Sequence, residues 1–116
     1  MFRVKRAYRP PEPADGVRYL VDRVWPRGVT KNALSVADWV REVAPSDALR
    51  QWFGHDASKW EEFKQRYFAE LEANPNTWQA LLDAGRKGTV TLVFSARDEE
   101  HNQAVALKEF LDQKMG

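Results

Sequence analysis

The chain has 116 residues, 43% of them hydrophobic and 30% charged, with five Trp, six Phe, no Cys and a formal net charge of +1. This is the length of one domain, residues 1–116, with room for a real core, and the composition is that of an ordinary globular protein. The lack of Cys excludes a disulfide framework, a thiol nucleophile and a thiolate metal site, and no run approaches the roughly 20 apolar residues of a membrane span.

Phe2-Arg3-Val4-Lys5-Arg6 alternates apolar and basic residues, the pattern of a half-exposed strand. The same N-terminus lacks the apolar core of a signal peptide, so the cytoplasm is the expected compartment. Tyr8 to Gly16 reads as loop, because three prolines fix φ and Asp15-Gly16 is a turn signal. Arg18-Tyr19-Leu20-Val21-Asp22 is the second strand, its continuous apolar centre suited to the sheet interior. Residues 23–34 are irregular, broken by Trp25-Pro26 and Gly28.

Ser35-Val36-Ala37-Asp38 has the form of a capping box, which predicts a short helix ending by Pro45. Ser46 caps the next helix, which presents Leu49, Trp52 and Phe53 and stops at Gly54. The longest helix runs from about Ser58 to Glu72, with Trp60, Phe63, Tyr67, Phe68 and Leu71 along one stripe. Asn74-Pro75 opens another helix, ending at Gly85 or Gly88. Thr89 to Phe94 is the third strand, and Asp98 is the expected cap of a terminal helix. The long helical crossover between the second and third strands permits parallel pairing. The expected fold is α/β, a small, largely parallel sheet of about three strands flanked by four to six helices.

Charge is unevenly spread. Residues 1–31 hold eight basic and three acidic residues, a net +5, whereas the rest holds ten basic and fourteen acidic, a net −4. A basic first quarter would attract phosphate, nucleotide or nucleic acid, unless the protein's own acidic helices neutralise it.

Several segments together resemble the domain of unknown function 488 family, in its short YeaO-like branch. They are Asp15-Gly16, Leu20 to Gly28 (with Val-Asp-Arg-Val-Trp-Pro-Arg-Gly), Trp39, Ala44-Pro45-Ser46, Leu49-Arg50, Trp52-Phe53-Gly54-His55 and Ser95-Ala96-Arg97-Asp98 with His101-Asn102. The resemblance covers almost the whole chain and brings no settled activity with it. Longer relatives carry a cysteine-bearing segment where this chain has Ser95 to Asn102, so a thiol-dependent role does not carry over.

The chemistry concentrates after the second and third strands, where open α/β sheets bind ligands. Arg23, Arg27 and Arg97 would form an anion-binding notch, since guanidinium groups hold phosphate or carboxylate through paired hydrogen bonds and helix N-termini favour anions. The alternative is that Asp22 and Asp98 pair with these arginines and only hold the loops. Asp22, at the mouth of a buried strand, is the candidate general base. Ser95 would be a nucleophile only with His101 in reach, and no Gly-x-Ser-x-Gly elbow surrounds it. Trp25 in the basic loop would face the ligand, whereas the other four tryptophans read as core. Asn102 is either a ligand contact or a helix surface residue, and His55 lies in a turn beside Asp56, which starts the long helix. Two histidines without clustered carboxylates predict no metal site, and no cofactor is expected.

The leading expectation is therefore a domain that binds an anionic small molecule. Arg23, Arg27 and Arg97 would hold it, Ser95, His101 and Asn102 would orient it, and Trp25 and His55 would lie against it. If it is an enzyme, the chemistry would be hydrolysis or group transfer with Asp22 or His101 as acid or base. The alternatives are a nucleic-acid-binding accessory domain using residues 1–31, and a structural or homo-oligomeric scaffold; a membrane partner is not expected.

Overall fold

The computed structural model describes residues 1–116 and contains a four-stranded parallel sheet with five α-helices. Strand β1 is Phe2–Arg6, β2 is Val17–Leu20, β3 is Asp38–Trp39 and β4 is Val90–Phe94. The spatial order is β1-β4-β2-β3, so the last strand is inserted between the first two. The fourth strand beyond the expected three is the two-residue β3 on the edge.

Every residue of β4 is buried, and its alternating side chains separate two cores. Val90, Leu92 and Phe94 join Phe2 in the larger core, with residues of the helices. Those helices are α2 (Asp47–Phe53), α3 (Trp60–Ala73), α4 (Gln79–Lys87) and α5 (Gln103–Met115). α5 lies across β1 and β4, with α3 and α4 packed on it. Gly85 lets α4 come this close, since a Cβ there would stand 2.2 Å from the Phe2 ring. On the other face, Val93 and Leu20 pack with Ala7 and Leu34 beneath the loop that carries Trp25, Val29 and Val36. That loop holds one helical turn, α1 (Lys31–Leu34), capped by the Thr30 hydroxyl.

The alternation in β1 has a direct structural use. Register places Arg3, Thr91 and Arg18 side by side, and Lys5, Val93 and Leu20 likewise, on the loop-covered face. Asp15, fully buried, answers the cations: Arg18 Nη1 donates to it at 2.7 Å and Lys5 Nζ at 3.1 Å. Lys5 also reaches Glu12 at 2.6 Å, and Arg18 donates twice to the Leu34 carbonyl. Burial alone would raise the Asp15 carboxyl, but the Glu12 N–H, Lys5 and Arg18 hold it below its ordinary value. Elsewhere Arg9 pairs with Glu99, and Arg6 donates to the Ala96 and Ser95 carbonyls. Much of the basic first quarter is thus spent internally, chiefly on its own loop rather than on acidic helices.

Several expected helix starts are corrected. No helix begins at Ser35, which closes α1 at φ 52°, and Asp38–Trp39 forms β3 instead. The edge of β2 decides this, because Ala37 N–H bonds Arg18 O at 2.7 Å and Val40 N–H bonds Leu20 O at 2.8 Å. A bare buried edge would leave those carbonyls unpaired. Asp98 does not cap α5 either; Asn102 does, its side chain accepting from Val105 N–H. Asp98 instead closes a turn, accepting from the Glu100 and His101 N–H groups. Ser46 caps α2, Gly54 ends it at φ 54°, and Asp56 opens the 3-10 turn leading into α3, whereas Asn74-Pro75 opens only a 3-10 turn without a side-chain cap and α4 itself begins at Gln79.

Replacing Asp15 with Ala strands Lys5 and Arg18 without their shared counter-charge. Removing one partner of a buried ion cluster costs about 3–5 kcal/mol, so Asp15→Ala should show a strongly lowered urea midpoint. A midpoint within experimental error of the parent would mean the cluster is not a structural element.

Candidate functional site

The parallel ladder between β2 and β4 fixes what stands beyond it. It extends one step past the strands, with Val21 N–H donating to Val93 O at 3.0 Å. At the next step no backbone carbonyl is used. Ser95 N–H donates to the Asp22 side chain, Oδ2, at 2.9 Å, and Ser95 Oγ donates to the same oxygen at 2.6 Å. Gln103 Nε2, from the first residue of α5, donates to Asp22 Oδ1. Asp22 is 7% exposed and forms no ion pair within 4 Å. Burial pushes its carboxyl above the ordinary value, against the pull of the Ser95 and Gln103 donors and of Arg50 at longer range.

Over this trio opens a cavity of about 690 Å³. Its floor is Asp22, Ser95 and Gln103, with Ala44, Pro45, Phe53 and Phe63 as apolar wall. Arg23, Arg50 and Arg97 line it, and Asp98 is the one further carboxylate that does. The three guanidiniums differ in freedom. Arg23 donates through Nη2 to the Ala44 and Pro45 carbonyls and sits 3.6 Å from Asp47, so it ties the β2 exit to the start of α2. Its buried Nε has no hydrogen-bond partner. Arg50 is exposed and shares Asp47 at 3.2 Å. Arg97 is exposed, with no side-chain hydrogen bond or ion pair.

Of the residues singled out in the sequence, the cavity gathers Asp22, Arg23, His55, Ser95, Arg97, His101 and Asn102. His101 does not meet Ser95: its Nδ1 bonds Asp98 Oδ2 at 2.9 Å and its ring stands edge-on to Trp60. The carboxyl of Asp98 is held low by its Glu100 and His101 contacts. Asn102 is buried, and its side chain serves the α5 cap and the Asp98 carbonyl. His55 is exposed at φ 59°, just past Gly54. Two of the expected ligand residues lie elsewhere. Trp25 donates Nε1 to Val29 O at 2.6 Å and packs on Trp39, within the second core. Arg27 is exposed on that same loop, away from the cavity. Neither Asp22 nor Asp98 pairs with Arg23, Arg27 or Arg97, so the loops are not held by those pairs. Arg50 and Gln103 were not anticipated. Arg50 stood in one of the segments carrying the family resemblance, while nothing local marked Gln103. No group of three His, Asp or Glu side chains is arranged to hold a metal.

A carboxyl raised by folding carries a definite pH signature. Between its unfolded value of 3.8 and its higher folded value, the native state binds more protons than the unfolded one. The stability that Asp22 contributes is therefore present below 3.8 and lost as pH rises through the folded value. Asp22→Asn, which cannot titrate, should gain stability relative to the parent as pH climbs from 3.5 to 7, read from urea midpoints across that range. A difference that stays flat or shrinks would show that the carboxyl is not raised.

A profile of the DUF488-N3i family, described as the inactive DUF488-N3 subclade, matches residues 1–116. The chain is 38% identical over 107 residues to the uncharacterized protein YeaO of Escherichia coli K12, covering 92% of this chain and 93% of that one. It is 37% identical over 110 residues to the uncharacterized protein Rv3073c of Mycobacterium tuberculosis H37Rv, covering 95% and 92%. No solved structure matches it. With the match spanning every residue and the relatives covered nearly end to end, the chain belongs to the DUF488-N3i family.

Proposed function

We propose that this protein binds a small anionic ligand in the cleft beyond β2 and β4, and holds it without turning it over. The observation that carries this reading is that the ends of two neighbouring parallel strands meet under one cavity with arginines around it. Arg97 has no protein partner and Arg50 only a shared one, so both are available to a phosphate or carboxylate. At about 690 Å³ the cavity lies in the size range of small-molecule sites, and its wall is partly apolar.

Hydrolysis or group transfer has less support. Ser95 gives its hydroxyl proton to a carboxylate that is already fed by two other donors, and His101 faces Asp98 and Trp60. A nucleophile needs a base free to take its proton; Asp22 is in contact with Ser95 but two further donors hold its charge, and His101 faces elsewhere. The description of the family as an inactive subclade points the same way. A nucleic-acid partner on residues 1–31 is disfavoured because Lys5, Arg6, Arg9 and Arg18 are engaged within the protein.

Titration calorimetry with inorganic phosphate and nucleoside monophosphates tests the reading. A charge-assisted hydrogen bond is worth about 1.5–3 kcal/mol, so Arg97→Ala should weaken binding by about tenfold or more with the fold unchanged. Arg50→Ala should act in the same direction. No heat with any phosphate, or affinity indifferent to both changes, defeats the proposal; product formed from a bound phosphate ester would defeat its non-catalytic half.

A further inference from the structure

The floor of the cleft has a polarity opposite to its rim. An ionised carboxylate offers about four acceptor positions, a hydroxyl two and an amide oxygen two. Three of Asp22's positions are filled, by Ser95 N–H, Ser95 Oγ and Gln103 Nε2. Ser95 has spent its only side-chain donor on Asp22, and its Oγ accepts nothing from the protein. Gln103 must turn its amide nitrogen to the carboxylate, which leaves Oε1 as a second oxygen without a protein donor. Gln103 Oε1 is without a partner and yet not buried, and both Ser95 and Gln103 line the cavity above. The floor thus presents only acceptors to an occupant, while the arginines present only donors.

The charge at the floor is incomplete as well. Asp15 and Asp22 are both buried, but Asp15 has Lys5 and Arg18 in contact whereas Asp22 has three neutral donors. A buried carboxylate without a counter-ion is costly, and a cation placed against it recovers Coulomb energy at low dielectric. No Lys, Arg or His side chain of this chain comes within 4 Å of Asp22.

We infer that the ligand is zwitterionic: a primary ammonium head seats on Asp22, Ser95 and Gln103, and an anionic group at the other end meets Arg97. An ammonium has three N–H donors and no acceptor, the complement of the three oxygens on the floor. This inference rests on the anion-site reading and narrows its ligand class to compounds that join an amine to a phosphate or carboxylate.

The test is a matched series in the calorimeter. O-phosphoethanolamine and its three- to five-carbon homologues are compared with alkyl phosphates of the same length that lack the amine. The best amine should bind about tenfold or more tighter than its match, the value of a charged hydrogen bond. In Asp22→Asn, where the side chain keeps its shape and loses its charge, that ratio should fall to near one. Gln103→Leu, which removes one floor oxygen and leaves Asp22, should reduce the ratio and covers the case that Asp22→Asn does not fold. Equal binding of the two series with retained Arg97 dependence overturns this inference and leaves the anion site standing. A preference for the amine that survives both substitutions also overturns it. Failure of both series to bind overturns this inference, and the anion site falls with it only if inorganic phosphate and the nucleoside monophosphates are silent too.

Discussion

The insertion of β4 between β1 and β2 is the constraint on which the rest of the molecule depends. Only this order makes the second and last strands hydrogen-bonded neighbours, although about 70 residues of chain separate them. Parallel pairing then forces both strands to exit at the same end of the sheet. The ladder Val17 to Leu20 against Val90 to Val93 continues through Val21 N–H to Val93 O. At the following position the Asp22 carboxylate stands in for a carbonyl and accepts Ser95 N–H. A sheet hydrogen bond has in effect been handed to an ionisable side chain. From the other side, Arg6 at the end of β1 grips the Ser95 and Ala96 carbonyls, so the segment leaving β4 is fixed from both neighbours.

The two buried aspartates show how far identical side chains are separated by their neighbours. Asp15 is completely buried yet has its carboxyl lowered, because Glu12 N–H, Lys5 and Arg18 surround it with donors and positive charge. Asp22 is slightly less buried and has its carboxyl raised, because its contacts are neutral and its nearest influential cation, Arg50, acts only at a distance. The first arrangement is closed: its acceptors are filled by the chain itself, and it ties the Pro-rich loop down onto β1 and β2. The second is open on one side, under a cavity. Burial with cations marks a structural cluster; burial without them, beside a cavity, is the feature on which the proposed ligand site rests.

What the sequence revealed follows the range of the interactions involved. β1, β2 and β4, the Ser46 cap, the Gly54 stop and the aromatic stripe of α3 are set by side chains within a few residues of each other, and all were legible. Ser35-Val36-Ala37-Asp38 misled because its local preference competes with the edge of β2, a pairing between positions 19 apart (Tyr19 with Asp38, Leu20 with Trp39) that no capping pattern records. Asp98 was the expected cap, but its oxygens accept the Glu100 and His101 N–H groups and meet His101 Nδ1 in a turn, and Asn102 starts α5 instead. The cavity was foreseeable as the meeting of two strand ends, but Trp25 and Arg27 were misplaced because the loop after Asp22 turns back over the second core. Arg50 and Gln103 required the helices to be docked first.

The position of the α5 cap decides which groups would hold the proposed anion. A free helix N-terminus would offer its own N–H groups and dipole to the cleft. In this fold Asn102 occupies that end, taking Val105 N–H with its side-chain oxygen and passing its amide nitrogen to the Asp98 carbonyl. Gln103, the first residue of the helix, turns its side chain to Asp22. The helix end is therefore used to build the floor, and attraction for negative charge falls to guanidinium side chains on α2 and on the segment after β4. Side-chain cations on flexible stems adapt to ligands of different length, whereas a ring of backbone N–H groups would demand one geometry. In the proposed reading, an acceptor floor beneath an adaptable donor rim would select the head of the ligand more strictly than its tail.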